Sequence, residues 1–299
     1  MTAETNSLQE SVRTEPPRNP QGLWWERWKR ELRSIPVAIA AVVFLLVVCI
    51  GVFSPMLIQI DPVEIDPSAR LASPSAAHWL GTDSFGRDTF ARLFYGARVS
   101  LIIGAGATLA SALVGMLIGV VAGYFRSADA VIMRVMDGIM AIPSILLAIA
   151  LVSLTGGTLW TVLIAIIIPE IPRVVRLVRG VILSVRDEAY VEAAVSMGTR
   201  TPRLLWRHMV PSTLAPLVVQ GTFIFASAIL TEATLSFLGA GLPNEIPSWG
   251  NMMADGRMYF QLKPDLVMFP GLMLAVTLLS VNVLGDVFRD VLDPRLAAK

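Results

Sequence analysis

The residues best placed to do something specific lie in one polar stretch, 186–211. Tyr190, Ala193, Ala194 and Met197 recur there at i, i+3, i+4 and i+7, the spacing of one helical face. Gly198 follows, a residue that tolerates a left-handed C-terminal cap. Thr201 and Pro202 then form a start signal, threonine as N-cap and proline at the first position. A second helix is expected through Leu204, Leu205 and Trp206 to His208, ending near Pro211. The chemistry of such a helix–turn–helix is mechanical. Ala193 and Ala194 let another surface approach closely, and Glu192 offers one fixed charge. A small rigid knob of this kind can pass a rigid-body movement into the elements attached to it. An amphipathic loop resting on a membrane has the same periodicity, and spacing alone leaves both readings open.

Covalent and metal chemistry lack the residues they need. Two histidines, His78 and His208, and a single cysteine, Cys49, are too few for a zinc site. Cys49 sits in an apolar run and has no second cysteine to pair with. No Gly-x4-Gly-Lys-Ser/Thr phosphate loop occurs, and Lys29, Lys263 and Lys299 lie in no glycine-rich loop. An intramembrane serine protease needs serine and histidine at one depth, whereas both histidines fall outside the apolar runs, on opposite sides. Arg173, Arg176 and Arg179, three apart, suggest a voltage sensor. They follow Pro169 and Pro172 at the inner end of a run, where positive-inside anchoring explains them at lower cost.

Other polar residues fall inside apolar runs, where a bare ionised group costs about 2.5–3.5 kcal/mol on insertion scales. Glu232 and Gln220 are candidates for lining a translocation pathway, with a helix–helix hydrogen bond as the alternative for Glu232. Arg134 and Asp137, three apart, have the spacing of a pair within one helix. Asn282 and Asp286 lie one turn apart near the inner end of the last run. Ala107, Ser111, Gly115, Gly119 and Gly123 recur every fourth residue and form a small-residue ridge. Such a ridge lets helices pack backbone to backbone, either statically or as a sliding contact.

The elements that position these residues follow from composition. Of 299 residues, 55% are hydrophobic and 16% charged, with a mean hydropathy of +0.66. An ordinary soluble domain carries about 25% charged residues. A net charge of +1 gives no field for a polyanion, so nucleic acid is not an expected partner. The class left is an all-α integral membrane protein. A spanning helix needs about 20 mostly apolar residues, and six runs approach that: 37–60, 101–125, 131–154, 159–176, 212–242 and 266–288. The fourth is the weakest, stopping at Pro169, Glu170 and Pro172. The first reads as a retained anchor, because a long polar stretch precedes it and no Ala-x-Ala site follows closely. Eighteen lysines and arginines fall on one side of this topology and six on the other, which places both termini in the cytoplasm.

The chain then divides into a cytoplasmic tail (1–36), a first transmembrane helix (37–60) and an extracytoplasmic segment (61–98). A five-helix core (99–289) containing the 186–211 loop follows, and then a cytoplasmic C-terminus (290–299). In the tail, Trp24, Trp28 and Leu32 among Arg27, Lys29, Arg30 and Arg33 suit an amphipathic helix on anionic lipid. Positive-inside anchoring explains the same residues.

At the loop the sequence resembles a known family. Glu192-Ala193-Ala194, three residues, Gly198, nine residues and then His208-Met209-Val210-Pro211 is similar to the EAA motif of ABC importer permeases, Glu-Ala-Ala-x3-Gly-x9-Ile-x-Leu-Pro. His208 replaces isoleucine and Val210 replaces leucine; histidine there resembles the dipeptide and oligopeptide branch. His78-Trp79-Leu80-Gly81-Thr82-Asp83-Ser84-Phe85-Gly86-Arg87-Asp88 and Tyr95-Gly96-Ala97-Arg98-Val99-Ser100 resemble that branch's segment before span two. Leu235-Ser236-Phe237-Leu238-Gly239, Pro247-Ser248-Trp249-Gly250-Asn251-Met252 and Leu292-Asp293-Pro294-Arg295 resemble its C-terminal signature.

The resemblance, over roughly residues 30 to 295, implies a type I ABC importer fold with a cytoplasmic coupling helix between spans four and five. It implies a permease subunit in a bacterial inner membrane that imports peptides and hydrolyses no ATP itself. The implied partners are a homologous second permease, one or two ATPase subunits and an extracytoplasmic peptide-binding protein. No cofactor is expected on this chain, ATP and magnesium being held by the ATPases. Glu192, Ala193, Ala194, Gly198 and Pro211 would couple the chain to an ATPase. Nickel, glutathione or another small solute is an alternative cargo, and an ion-coupled secondary transporter is the alternative from another class.

Overall fold

In hydrocarbon an apolar segment can satisfy its backbone hydrogen bonds only within its own helix. Each predicted apolar run is helical, wholly or in pieces, in the computed structural model, which describes residues 34–292. In chain order the helices are α1 (Ile35–Leu57), α2 (Thr89–Tyr124), α3 (Arg126–Met140), α4 (Ser144–Thr155) and α5 (Leu159–Arg186). After them come α6 (Ala189–Ser196), α7 (Thr201–Leu204), α8 (Pro211–Phe237), α9 (Trp249–Gly256) and α10 (Asp265–Leu292). Among the described residues there is no strand, only an isolated bridge between Thr82 and Asp88. The amphipathic segment at Trp24–Leu32 and the residues after Leu292, including Asp293-Pro294-Arg295, lie outside the described residues.

Four helices, α1, α2, α8 and α10, are long and apolar enough to cross a membrane. The third expected span is not one straight helix: α3 and α4 meet at a bend of 85°. Pro143 stands at the break; it lacks an N–H and steers the residue before it out of the helical region. Counted as one crossing, the bent pair makes five. The fourth expected span does not stop at Pro172. Instead α5 runs unbroken through Pro169 and Pro172 to Arg186, and it falls short on apolarity because Glu170, Arg173, Arg176 and Arg179 lie along it.

The small-residue ridge sets the centre of the fold. Ala107, Ser111, Gly115, Gly119 and Gly123 are all buried in α2, and the three glycines meet Val174, Val178 and Ile182 of α5. A Cβ added at Gly119 would lie 2.7 Å from that of Val178, so any side chain there pushes the two helices apart. The other helices close around this pair. α8 packs on both partners, and α1 and α10 pack on each other and on α2.

Ion pairs tie the C-terminal half of α5 to α3. Asp137 pairs with Arg176 at 2.6 Å, not with Arg134 as its i,i+3 spacing suggested, and Arg134 stands exposed. Arg179 holds Asp129 through Nε and Nη2 at 2.5 and 2.7 Å. Arg176 and Arg179 thus form the α3–α5 joint, whereas Arg173 pairs with Glu170 on its own helix.

Candidate functional site

The 186–211 elbow is built by its backbone. α6 ends at Met197, and Gly198 takes a φ of +75°. The N–H of Thr199 donates to the Ala194 carbonyl at 3.1 Å, and that of Gly198 to Val195 at 2.9 Å, the paired bonds of a Schellman cap. No atom lies within 4 Å of a Cβ built at Gly198. The glycine is therefore required by its conformation and not by crowding.

The 190–197 face is divided: Ala194, expected to let another surface approach, turns into the protein's own core, and the rest stays outward. Of Tyr190, Ala193, Ala194 and Met197, only Ala194 is buried, together with Val191. These two pack on a cluster that includes Leu204, Met209, Val178 and Ile182. Tyr190, Ala193, Val195, Met197 and Trp206 are exposed beside Glu192, Met197 at 79%. Apolar residues lie on both sides of so short a helix, and periodicity does not reveal which side the rest of the fold takes.

The second helix also differs. Thr201 makes no capping bond, and Arg200 is the N-cap of α7. There is no break before Pro211. Leu205–Met209 forms one turn of π-helix, closed by the Val210 N–H on the Leu205 carbonyl at 2.8 Å, and runs directly into α8. Pro211 stands at the first position of α8, where a missing N–H costs no hydrogen bond. The elbow and α8 are thus one mechanical piece. The hydroxyl of Tyr190 donates to the His208 carbonyl at 3.3 Å across the elbow.

Farther along α8, Glu232 is fully buried. Its Oε1 accepts from the hydroxyls of Ser236 at 2.8 Å and Ser248 at 2.9 Å. Ser248 also caps α9, so the carboxyl group ties α8 to the start of α9. Gln220 instead borders a cavity of about 370 Å³ with Leu177, Ser212, Pro216 and Arg289.

Two polar residues emerge that spacing did not single out for a role. Glu170, in the middle of α5, is 5% exposed. It accepts from Arg173 at 3.0 Å and from the Ser227 hydroxyl of α8 at 3.2 Å. Its i,i+3 relation to Arg173 was visible in the sequence, but between two prolines it read as an interruption. Asp255 completes a buried cluster at the other end. Arg87 donates to Asp83 at 2.6 Å and to Asp255 at 2.8 Å, and both Arg87 and Asp255 stand beside Arg92, which is 1% exposed. No local pattern points from residue 87 to residue 255. Gly86 belongs to the same corner: its φ is +81°, and a Cβ there would strike the Asp66 carbonyl.

Residues 89–298 match the family described as binding-protein-dependent transport system inner membrane component. A probable peptide ABC transporter permease protein of Sinorhizobium fredii is 55% identical over 235 residues, covering 79% of this chain and 81% of its own length. A dipeptide transport system permease protein of Alkalihalophilus pseudofirmus is 40% identical over 301 residues, covering 99% and 96%. Among solved structures, a chain of the MetNI methionine ABC transporter in inward-facing conformations superposes with a TM-score of 0.51 at 18% identity, over 68% of this chain and 94% of that one. That likeness bears on the fold; the family match and the two relatives bear on descent. The chain belongs to the binding-protein-dependent transport system inner membrane component family.

Proposed function

We propose that this chain is the permease subunit of an ATP-binding-cassette importer that carries peptides across the bacterial cytoplasmic membrane, and that the 186–211 elbow is where the ATPase pushes. The observation that carries the reading is the elbow itself. A helix capped by Gly198 presents Tyr190, Ala193, Val195 and Met197 outward, and after the turn the second limb, from Thr201, continues through a π turn into α8. An apolar face left uncovered on a rigid lever suits a partner's groove, and a push on it would move α8 as a body. Peptide cargo is supported by relatives named for peptide and dipeptide transport.

In this reading α5 and the bent α3–α4 pair join the four apolar helices to give six crossings, with both termini inside and the 61–98 segment outside. A second permease, ATPase subunits holding ATP and magnesium, and an extracytoplasmic binding protein complete the machine. Glu192 supplies the charge at the docking face and Ala193 the close approach, while Ala194, buried against Leu204 and Met209, seats the helix on its own core, Gly198 caps it and Pro211 joins it to α8.

The test is the full transporter, expressed with its neighbouring genes and reconstituted. Glu192→Lys is expected to leave ATP hydrolysis running while peptide uptake falls at least about ten-fold. A Met197→Cys crosslink should reach an ATPase subunit. Normal uptake by Glu192→Lys, or a crosslink that never reaches an ATPase, would overturn the assignment; uptake by this chain alone on an ion gradient would favour a secondary carrier.

A further inference from the structure

Charged side chains stand uncovered on α5 at a depth where hydrocarbon cannot receive them. The packing register gives the depth. Val174 of α5 lies against Gly115 of α2 and Val178 against Gly119, both within the 101–125 run of α2 that carries no charge. Arg173 and Arg176 are therefore level with the apolar part of the neighbouring helix. Their side chains are nevertheless 48% and 45% exposed, and that of Asp137, which pairs with Arg176, is 56% exposed. Ionised groups at such depth face water or protein, because facing lipid is too costly.

The local shape favours water. Leu177, one turn beyond Arg173, borders the cavity of about 370 Å³ whose polar lining includes Gln220, Ser212 and Arg289. Gly180, one turn beyond Arg176, has nothing within 4 Å of an added Cβ.

The ion pairs differ in a telling way. Arg179 gives two nitrogens to Asp129, a closed fork. Arg173 engages Glu170 through Nη1 alone, and Arg176 engages Asp137 through Nη2 alone. A guanidinium has five donors in a planar fork matched to carboxylates, so each of these two has capacity left for a second carboxylate. The Glu170 carboxylate is itself held by Ser227, which fixes the first arginine from behind.

We propose that Arg173 and Arg176 line a watery part of the translocation pathway and bind the C-terminal carboxylate of a peptide in transit. Glu170 and Asp137 hold the two guanidinium groups in place between cargoes. This rests on the reading of the chain as a peptide permease.

The experiment uses the complete transporter with Cys49→Ala in this chain and a single new cysteine, Leu177→Cys or, as a second site, Gly180→Cys. Labelling of this chain by two water-soluble methanethiosulfonates, one carrying sulfonate and one trimethylammonium, is followed by mass spectrometry. Both sites are expected to react. The anionic reagent should gain at least about three-fold over its ratio on a free thiol, through the local positive potential. Arg173→Gln with Arg176→Gln should erase that gain. A dipeptide with a free carboxylate should slow labelling, and its C-terminal amide should not. Absence of labelling at both sites in a transporter that still takes up peptide, or a reagent ratio unmoved by the arginine changes, overturns the proposal. Labelling and charge preference as expected, without ATP-driven peptide uptake, would instead sink the cargo reading and leave the aqueous strip standing.

Discussion

The two ends of the protein are held together by opposite means. At the end of α8 that carries Glu232, side chains do the holding. Arg87, Asp83, Asp255 and Arg92 form a buried charge cluster, Glu232 collects two hydroxyls, and the buried Trp249 donates its indole N–H to the Leu93 carbonyl at 3.0 Å. At the 186–211 elbow, backbone caps and a π turn do the holding, while five apolar or small side chains face outward. The Glu232 end completes itself; the elbow leaves its apolar side chains uncovered. Substitutions should therefore cost folding stability at one end and transmission at the other.

The largest loss of stability should come from Asp255→Ala. Removing Asp255 leaves two buried arginines, Arg87 and Arg92, with Asp83 as their one remaining carboxylate, and one uncompensated buried charge costs about 3–5 kcal/mol. A thermal-unfolding midpoint of the purified transporter would register it as a marked drop, and elbow crosslinking of the surviving complex should be unchanged. A stability loss no larger than that of a surface change would break the contrast at its stronger side.

Next comes the ridge that lies between the two ends. Gly119→Leu must force α2 and α5 apart, since even a Cβ falls 2.7 Å from that of Val178; overpacking of this kind costs about 1–3 kcal/mol or more. Gly138→Ala is the control. Nothing lies within 4 Å of its added Cβ, so helix propensity alone should leave it neutral or up to about 1 kcal/mol more stable. Equal loss from both variants would show that the ridge is not a close contact.

At the elbow, Gly198→Ala should place an L side chain at a φ of +75°, costing about 1–2 kcal/mol. The cost is confined to a segment with few covering side chains. The expected signature is a fall in uptake with little change in the global unfolding midpoint. Gly198→Asn should recover part of the activity, because asparagine tolerates this conformation.

How much of this could be read from residues alone depends on whether the cause was local. The Gly198 cap and the α2 ridge were legible, since each rests on residue type at fixed spacing. The ridge gave no hint of its partner, which required knowing that Val174, Val178 and Ile182 face it. The i,i+3 pairing of Arg134 with Asp137 was sound for an isolated helix, but Arg176 from another helix reaches the carboxylate first. The outward turn of Tyr190 and Met197 is of the same kind: the periodicity was real, and tertiary packing chose the other side of α6. Pro143 breaks a helix whereas Pro169 and Pro172 do not, because α5 stays packed along α2 through its prolines. Asp255 had no local sign at all, lying 168 residues from Arg87.

The smallest expected effect separates two roles for a buried carboxyl group. The Oε1 of Glu232 accepts from Ser236 and Ser248, both oxygen donors that an amide oxygen could serve equally well. Glu232→Gln keeps that acceptor, the side-chain length and the link from α8 to the start of α9, so stability should move by no more than about 1 kcal/mol. Uptake kinetics should then match the parent chain if the group only joins helices. Glu232→Ala should fare worse, because the Ser236 and Ser248 hydroxyls lose their buried partner and a void opens between them. A slowed uptake in Glu232→Gln with normal assembly would mean that its charge is used in transit. The self-sufficient end of the molecule would then carry part of the pathway, and the division between a closed end and an open elbow would have to be redrawn.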